Sequence, residues 1–159
     1  MCNTVNEVIE ILINRGITVA TAESCTGGMV GKTITDFSGV SSVYLEGVIT
    51  YANEAKIRLG VSEETLKNYG AVSRETAKEM AECVRKRAGT FVGISTTGVA
   101  GPGGGSREKP VGLVYMGIST KKETKTYALR LFGDRDTIRR KTTKLVFDKL
   151  LEDFLNGEN

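Results

Sequence analysis

Residues 18–28 read TVATAESCTGG, and the reading of this stretch decides the fold. Thr18 to Ala22 is short and mixes β-branched with small residues, which predicts a strand. ESCT then turns the chain, and Gly27 and Gly28 open a segment from Met29 to Phe37 that reads as a helix. A strand running straight into a helix places the intervening turn at the carboxyl edge of a sheet. Backbone N–H groups of the helix start are aimed into the same space.

Outward from this turn, helices and strands alternate. Val5, Val8, Ile9, Leu12 and Ile13 recur at helical spacing, with Asn3 or Thr4 as the expected cap and Gly16 as the stop. Val43 to Tyr51 reads as a strand. Asn53 is the expected cap of a helix over 54–59, and Ser62 that of a second helix closed by Gly70. From Ser73 to Ala88 a longer helix carries Ala77, Met80, Ala81, Val84 and Ala88 on one face. A strand at 91–96, a glycine-rich loop, a hairpin of 111–119 with 124–132, and a final helix from about Asp134 complete the chain. That helix is expected to bury Phe147, Leu150, Leu151, Phe154 and Leu155. The pattern predicts one domain over residues 1–159, an α/β/α sandwich of three layers around a mixed, mainly parallel sheet.

Composition narrows the chemistry. The chain of 159 residues contains no histidine, which removes Ser-His-Asp and Cys-His catalysis and every imidazole metal site. A hydrolase of this composition must take its base from Lys, Tyr, Asp or Glu. Cys2, Cys25 and Cys83 are odd in number and form no C-x-x-C pair, so reduced thiols are expected and a zinc knuckle is not. A net charge of +3 suits an anionic small molecule better than nucleic acid. Without an apolar run of the ~20 residues that span a bilayer, no membrane partner is expected. The N-terminal MCNTVNEVIE carries acid where a signal peptide carries base, so a cytoplasmic location is expected.

Four segments have residues suited to catalysis or binding. In TAESCTGG, Ser24, Cys25 and Thr26 all qualify by position as a nucleophile beside backbone donors, while Ser24 or Thr26 could equally cap the helix. Glu23 either orients a neighbour or is an exposed acid. In ITYANEAK, Tyr51 leaves a strand and Lys56 lies in the following helix. At a lysine's free pKa of ~10.4 only about one molecule in a few thousand is neutral at pH 7, so a lysine base requires burial or a nearby positive charge. The bland alternative is a surface lysine paired with Glu54 or Glu63. The loop TTGVAGPGGGS holds five glycines in eight positions, among them Gly101, Gly103 and Gly104. Such a loop lets backbone amides approach a phosphate or carboxylate, although it matches neither the P-loop nor the dinucleotide fingerprint. In GDRDTIRR, Asp134 is a helix cap, and Arg135 and Arg139, four residues apart, form either an anion clamp or a solvated basic face.

Taken together, TAESCTGG, TYANEAK, GAVS, GVAGPGGG with its KPVGLVY continuation, and GDRDTIRR resemble, in this order, the CinA C-terminal domain family. That family includes stand-alone amidohydrolases of nicotinamide nucleotides. The resemblance implies hydrolysis of nicotinamide mononucleotide to nicotinate mononucleotide and ammonia, in pyridine-nucleotide recycling. It assigns the nucleophile to Ser24, with assistance from Lys56 and Tyr51, and requires neither metal nor cofactor. On this reading Thr26, Gly27 and Gly28 supply oxyanion donors, and Gly101, Gly103, Gly104, Arg135 and Arg139 hold the phosphorylated nucleotide. A homo-oligomer is also implied. Cys25 is the stronger intrinsic nucleophile, but a thiolate without histidine needs other activation. The alternative function is a module that binds a pyridine nucleotide without turning it over, in competence or DNA-damage responses.

Overall fold

The computed structural model describes residues 2–156; Met1 and residues 157–159, the ends of the expected domain, lie outside the described residues. The elements run α1 (Cys2–Arg15), β1 (Val19–Glu23), α2 (Met29–Thr35), a 3-10 turn (Val40–Ser42), β2 (Tyr44–Ile49), α3 (Asn53–Leu59), α4 (Glu63–Tyr69) and α5 (Arg74–Ala88). They continue with β3 (Val92–Gly98), β4 (Leu113–Ser119), β5 (Thr124–Arg130), α6 (Arg135–Leu150) and a π turn (Leu151–Leu155).

The five strands form one mixed sheet in the order β2-β1-β3-β4-β5. β1 pairs in parallel with both β2 and β3, whereas the β3–β4 and β4–β5 ladders are antiparallel. β4 therefore opposes the other four strands, which share one direction. Central β1 is buried along its whole length, so it shows no alternation, while edge strand β2 alternates half-buried with exposed residues.

Helices cover both faces. On one, α1, α2 and α6 pack Val8, Ile9, Leu12, Ile34, Phe147 and Leu150 against Val19, Ile94, Met116 and Ile118 of the sheet. On the other, α5 lies across the strands with Met80 and Val84 against Ala20 and Ala22. Close approach of α5 depends on glycine. A Cβ at Gly117 would stand 2.6 Å from the Ala77 carbonyl, and one at Gly93 would overlap the Ala81 carbonyl. Ser95 Oγ donates to that same Ala77 carbonyl at 2.5 Å and ties strand to helix.

Several expected boundaries shift. α1 begins at Cys2, which puts Asn3 and Thr4 inside its first turn rather than at its cap. Asn53 is the first helical residue of α3 and extended Ala52 precedes it, so Asn53 is not the cap. Ser62 and Asp134 do cap α4 and α6 with their side chains, and Ser73, expected as the first helical residue, is instead the cap of α5. Among the described residues no helix is long and apolar enough to cross a membrane.

Candidate active site

The order β2-β1-β3 creates the site. β1 connects to β2 through α2 on one face, and β2 connects to β3 through α3 to α5 on the other. A crevice therefore opens beyond the carboxyl ends of β1 and β3, where the winding reverses. Glu23, at the end of β1, pairs with Ile49 of β2 and Thr96 of β3, so three chain segments leave the sheet side by side. The Ser24 amide bonds to the Thr96 carbonyl at 2.9 Å, and the Thr50 amide to the Glu23 carbonyl at 2.8 Å. These bonds set the loop carrying Ser24 against the loop leading to Lys56.

Ser24 and Lys56 meet. Lys56 is 1% exposed, and its Nζ donates to Ser24 Oγ at 3.2 Å, to the Thr50 carbonyl at 2.6 Å and to the Tyr51 carbonyl at 3.2 Å. No carboxylate is among these partners, so the surface pairing with Glu54 or Glu63 is not formed. Burial holds the amine below its ordinary pKa, opposed in part by the charge Cys25 would bear. A neutral amine has two N–H bonds and one lone pair. With both N–H bonds on the carbonyls, the lone pair is left for the Ser24 hydroxyl.

Cys25 borders the same space but is held in an apolar cluster. It packs with Ala100, Val114 and Ile138, and burial pushes its thiol up to about 12. A group so rarely ionised at neutral pH is a poor nucleophile.

The turn is anchored by a residue for which the sequence left two readings. Glu23 is 2% exposed and not a surface acid. Its carboxylate accepts from Thr26 Oγ1 at 2.5 Å and from the amides of Gly28, Val30 and Gly31 at 3.0, 3.1 and 2.8 Å. Neither Ser24 nor Thr26 caps α2; Glu23 takes that part. Thr26 is wholly buried and also bonded to Thr96 Oγ1 at 2.6 Å. Two of the expected oxyanion donors are thereby already engaged. The Gly27 amide bonds to the Ser24 carbonyl, and the Gly28 amide to Glu23. Among the described residues, the amide of Thr26 is left uncommitted in this turn, and that of Cys25 faces only its own thiol. An acid ending a strand just before a glycine pair is unusual, but Ser24 and Thr26 offered nearer caps, so the sequence did not single out Glu23.

Ser24, Cys25, Tyr51, Lys56, Ala71, Val72 and Arg135 line a cavity of about 280 Å³ together with residues 97–101, 103 and 104. Gly101 and Gly104 have φ of +77° and +80°, and a Cβ at Gly101 would stand 2.5 Å from Val111 Cγ1. At Gly103 neither constraint applies, and nothing lies within 4 Å of where a Cβ would be. Arg135 spans the mouth, donating to the Gly101 carbonyl at 2.8 Å and to the Tyr51 hydroxyl at 3.0 Å.

Two expectations are corrected here. Tyr51 is 61% exposed and its hydroxyl is bonded to Arg135, so it forms no relay between Lys56 and Ser24; the backbone carbonyl of Tyr51 touches the amine instead. Arg135 and Arg139 do not form a clamp either. Arg139 turns beneath the nucleophile turn and donates to the Thr26 carbonyl at 2.9 Å, and it does not line the cavity. A larger groove of about 590 Å³, with Arg15, Phe91, Lys121 and Phe154 in its walls, lies at the opposite edge of the sheet, far from this pair.

Comparison with known proteins gives the family. The family described as CinA C-terminal domain matches residues 2–154. A protein described as competence-damage inducible, from Clostridium acetobutylicum, is 52% identical over 147 residues, covering 92% of this chain and 36% of that protein. A CinA-like protein of Kosmotoga olearia is 52% identical, covering 89% of this chain and 34% of its own. The chain thus spans about a third of the length of these relatives. Among solved structures, competence damage-inducible protein A of Klebsiella pneumoniae superposes with a TM-score of 0.92 at 33% identity, covering 98% of this chain and 97% of that one. The competence/damage inducible protein of Agrobacterium tumefaciens gives 0.89 at 39% identity, with 93% and 92% covered. The chain belongs to the CinA C-terminal domain family.

Proposed function

We propose that the protein hydrolyses the carboxamide of nicotinamide mononucleotide, giving nicotinate mononucleotide and ammonia. The observation that carries this reading is the buried Lys56 amine 3.2 Å from Ser24 Oγ, with no carboxylate to hold it charged. Burying a lysine without a counter-charge is unfavourable, and a fold keeps one more readily where the neutral amine has work to do.

Ser24 Oγ attacks the carboxamide carbon while Lys56 accepts its proton, and the carbonyl oxygen becomes an oxyanion facing the Cys25 and Thr26 amides. Lys56 returns the proton to the departing nitrogen, which leaves as ammonia. A water molecule, deprotonated by Lys56, then cleaves the Ser24 ester, and Lys56 passes that proton to Ser24 Oγ as the nicotinate acid leaves and ionises to its carboxylate. The pyridinium ring withdraws electrons from the carboxamide, and neither metal nor cofactor enters a step. Arg135 and the amides around Gly101, Gly103 and Gly104 hold the phosphate, which positions the ring over Ser24. In this reading the protein is a cytoplasmic homo-oligomer whose partner is the small phosphorylated nucleotide, with no nucleic-acid or membrane partner.

Purified protein mixed with nicotinamide mononucleotide, without added metal, is expected to release ammonia, and Ser24→Ala to abolish release. The relatives are named for competence and damage induction, and the second reading is a regulatory module that binds such a nucleotide unchanged. Binding of the nucleotide without ammonia, from this substrate or from other amidated nucleotides and simple amides, would establish that reading instead.

A further inference from the structure

The Glu23 carboxylate reaches unusually far for a helix cap. An ordinary cap takes an amide two or three residues ahead. Glu23 takes the hydroxyl of Thr26 and the amides of Gly28, Val30 and Gly31, so the turn that carries Ser24 is enclosed between the carboxylate and the start of α2. The hydroxyl network has one possible direction. Thr26 has a single O–H, which goes to Glu23, so at the 2.6 Å contact Thr96 must donate to Thr26. The chain Thr96 to Thr26 to Glu23 therefore ends on the carboxylate and fastens the turn to β3. The Ser24 amide is bonded to the carbonyl of that same Thr96.

The surroundings are built to admit this carboxylate. Gly31 sits inside α2, where glycine weakens a helix by about 1 kcal/mol relative to alanine. A Cβ there would stand 2.5 Å from the Tyr44 hydroxyl and 3.5 Å from Glu23 Oε1. Tyr44 in turn bonds Thr21 Oγ1 at 2.7 Å. A serine or aspartate nearer the helix start would cap α2 with less desolvation. What a short cap could not do is span the turn.

We infer that Glu23 is the positioning residue of the Ser24–Lys56 pair, its carboxylate holding the turn so that Ser24 Oγ stays within reach of the amine. The inference rests on Ser24 acting as the nucleophile and Lys56 as its base, and it adds a residue outside the cavity on which that reactivity depends.

The test uses a probe that needs no nucleotide. Phenylmethanesulfonyl fluoride is attacked at sulfur by Ser24 Oγ; the S–O bond forms, fluoride leaves, and Lys56 takes the proton. Labelling is followed by intact mass, with Ser24→Ala as the blank. Glu23→Gln keeps the size of the side chain but loses the charge that gathers four donors. It is expected to slow labelling at least about tenfold, since small misplacements of reacting groups carry penalties of that order. On nicotinamide mononucleotide it lowers kcat by a similar factor with KM unchanged, and in a Ser24→Ala background it leaves nucleotide affinity unaltered. Thr26→Val, which removes one donor and spares the charge, slows labelling less, and serves alone if Glu23→Gln does not fold. Labelling of these variants at the wild-type rate overturns the inference. So does a loss confined to KM or to affinity, which would mark Glu23 as part of the binding surface. A wild-type protein that labels at Ser24 but releases no ammonia refutes the proposed substrate, while the ratio of labelling rates still decides the role of Glu23.

Discussion

The amine of Lys56 faces two carbonyls and one hydroxyl, so its protonation state decides whether Ser24 can react. Because burial lowers its pKa, the rate should rise with pH along an acid limb that lies below the ordinary lysine value of 10.5, as read from a pH profile of kcat/KM. Lys56→Met should lower kcat by about 10²- to 10⁴-fold, the usual contribution of a positioned acid–base group. It also makes a stability prediction with a definite sign. The folded state binds fewer protons at Lys56 than the unfolded state between the lowered pKa and 10.5. Wild type should therefore gain stability relative to Lys56→Met as pH rises through that window, and the difference should be flat below it. Urea denaturation of both proteins at neutral and alkaline pH measures this. At Cys25 the thiol, raised to about 12, should resist iodoacetamide at pH 8, and Cys25→Ala should keep activity within about threefold. Loss of ammonia release in Cys25→Ala, with retention in Ser24→Ala, would move the nucleophile to sulfur.

Helix α6 separates its two arginines although they stand one turn apart. Arg135 lies at the first turn and reaches over the cavity mouth to Gly101 and Tyr51, while Arg139 passes under the nucleophile turn to Thr26. Substitutions should divide the same way. Arg135→Ala should raise KM for nicotinamide mononucleotide about tenfold to a hundredfold, the worth of a charge-assisted hydrogen bond, with kcat little changed. Arg139→Ala should lower kcat with KM nearly constant, because it releases the carbonyl of Thr26 and not the substrate. Steady-state kinetics of the pair settles the matter, and equal increases in KM would restore the clamp. The spacing in GDRDTIRR announced a shared helical face correctly. It could not announce two destinations, since these depend on a glycine loop and a turn that are distant in the chain.

The α5 layer depends on how closely it approaches the sheet. Gly93 faces α5 at a point where any side chain would overlap the Ala81 carbonyl, so Gly93→Ala should cost about 3 kcal/mol through overpacking, measured by denaturant unfolding. This position looked like an ordinary strand residue in FVGIST, and nothing local marked it.

Much of the architecture was legible along the chain. The periodicity of 73–88, the helix starts at Ser62 and Asp134, and the strand–turn–helix of 18–37 are local consequences of side-chain spacing and glycine placement. The absence of histidine likewise restricts any base to a few residue types. Other features arise only when the chain closes on itself. These are the order β2-β1-β3-β4-β5, the burial of Lys56 beside Ser24 across 32 residues, the enclosure of Glu23, and the pairing of Tyr51 with Arg135 across 84. The physical reason is that burial and hydrogen bonding act between neighbours in space. A spacing rule sees only neighbours in sequence, so it could name Ser24, Lys56 and Arg135 as candidates while their partners were set by the packed sheet edge.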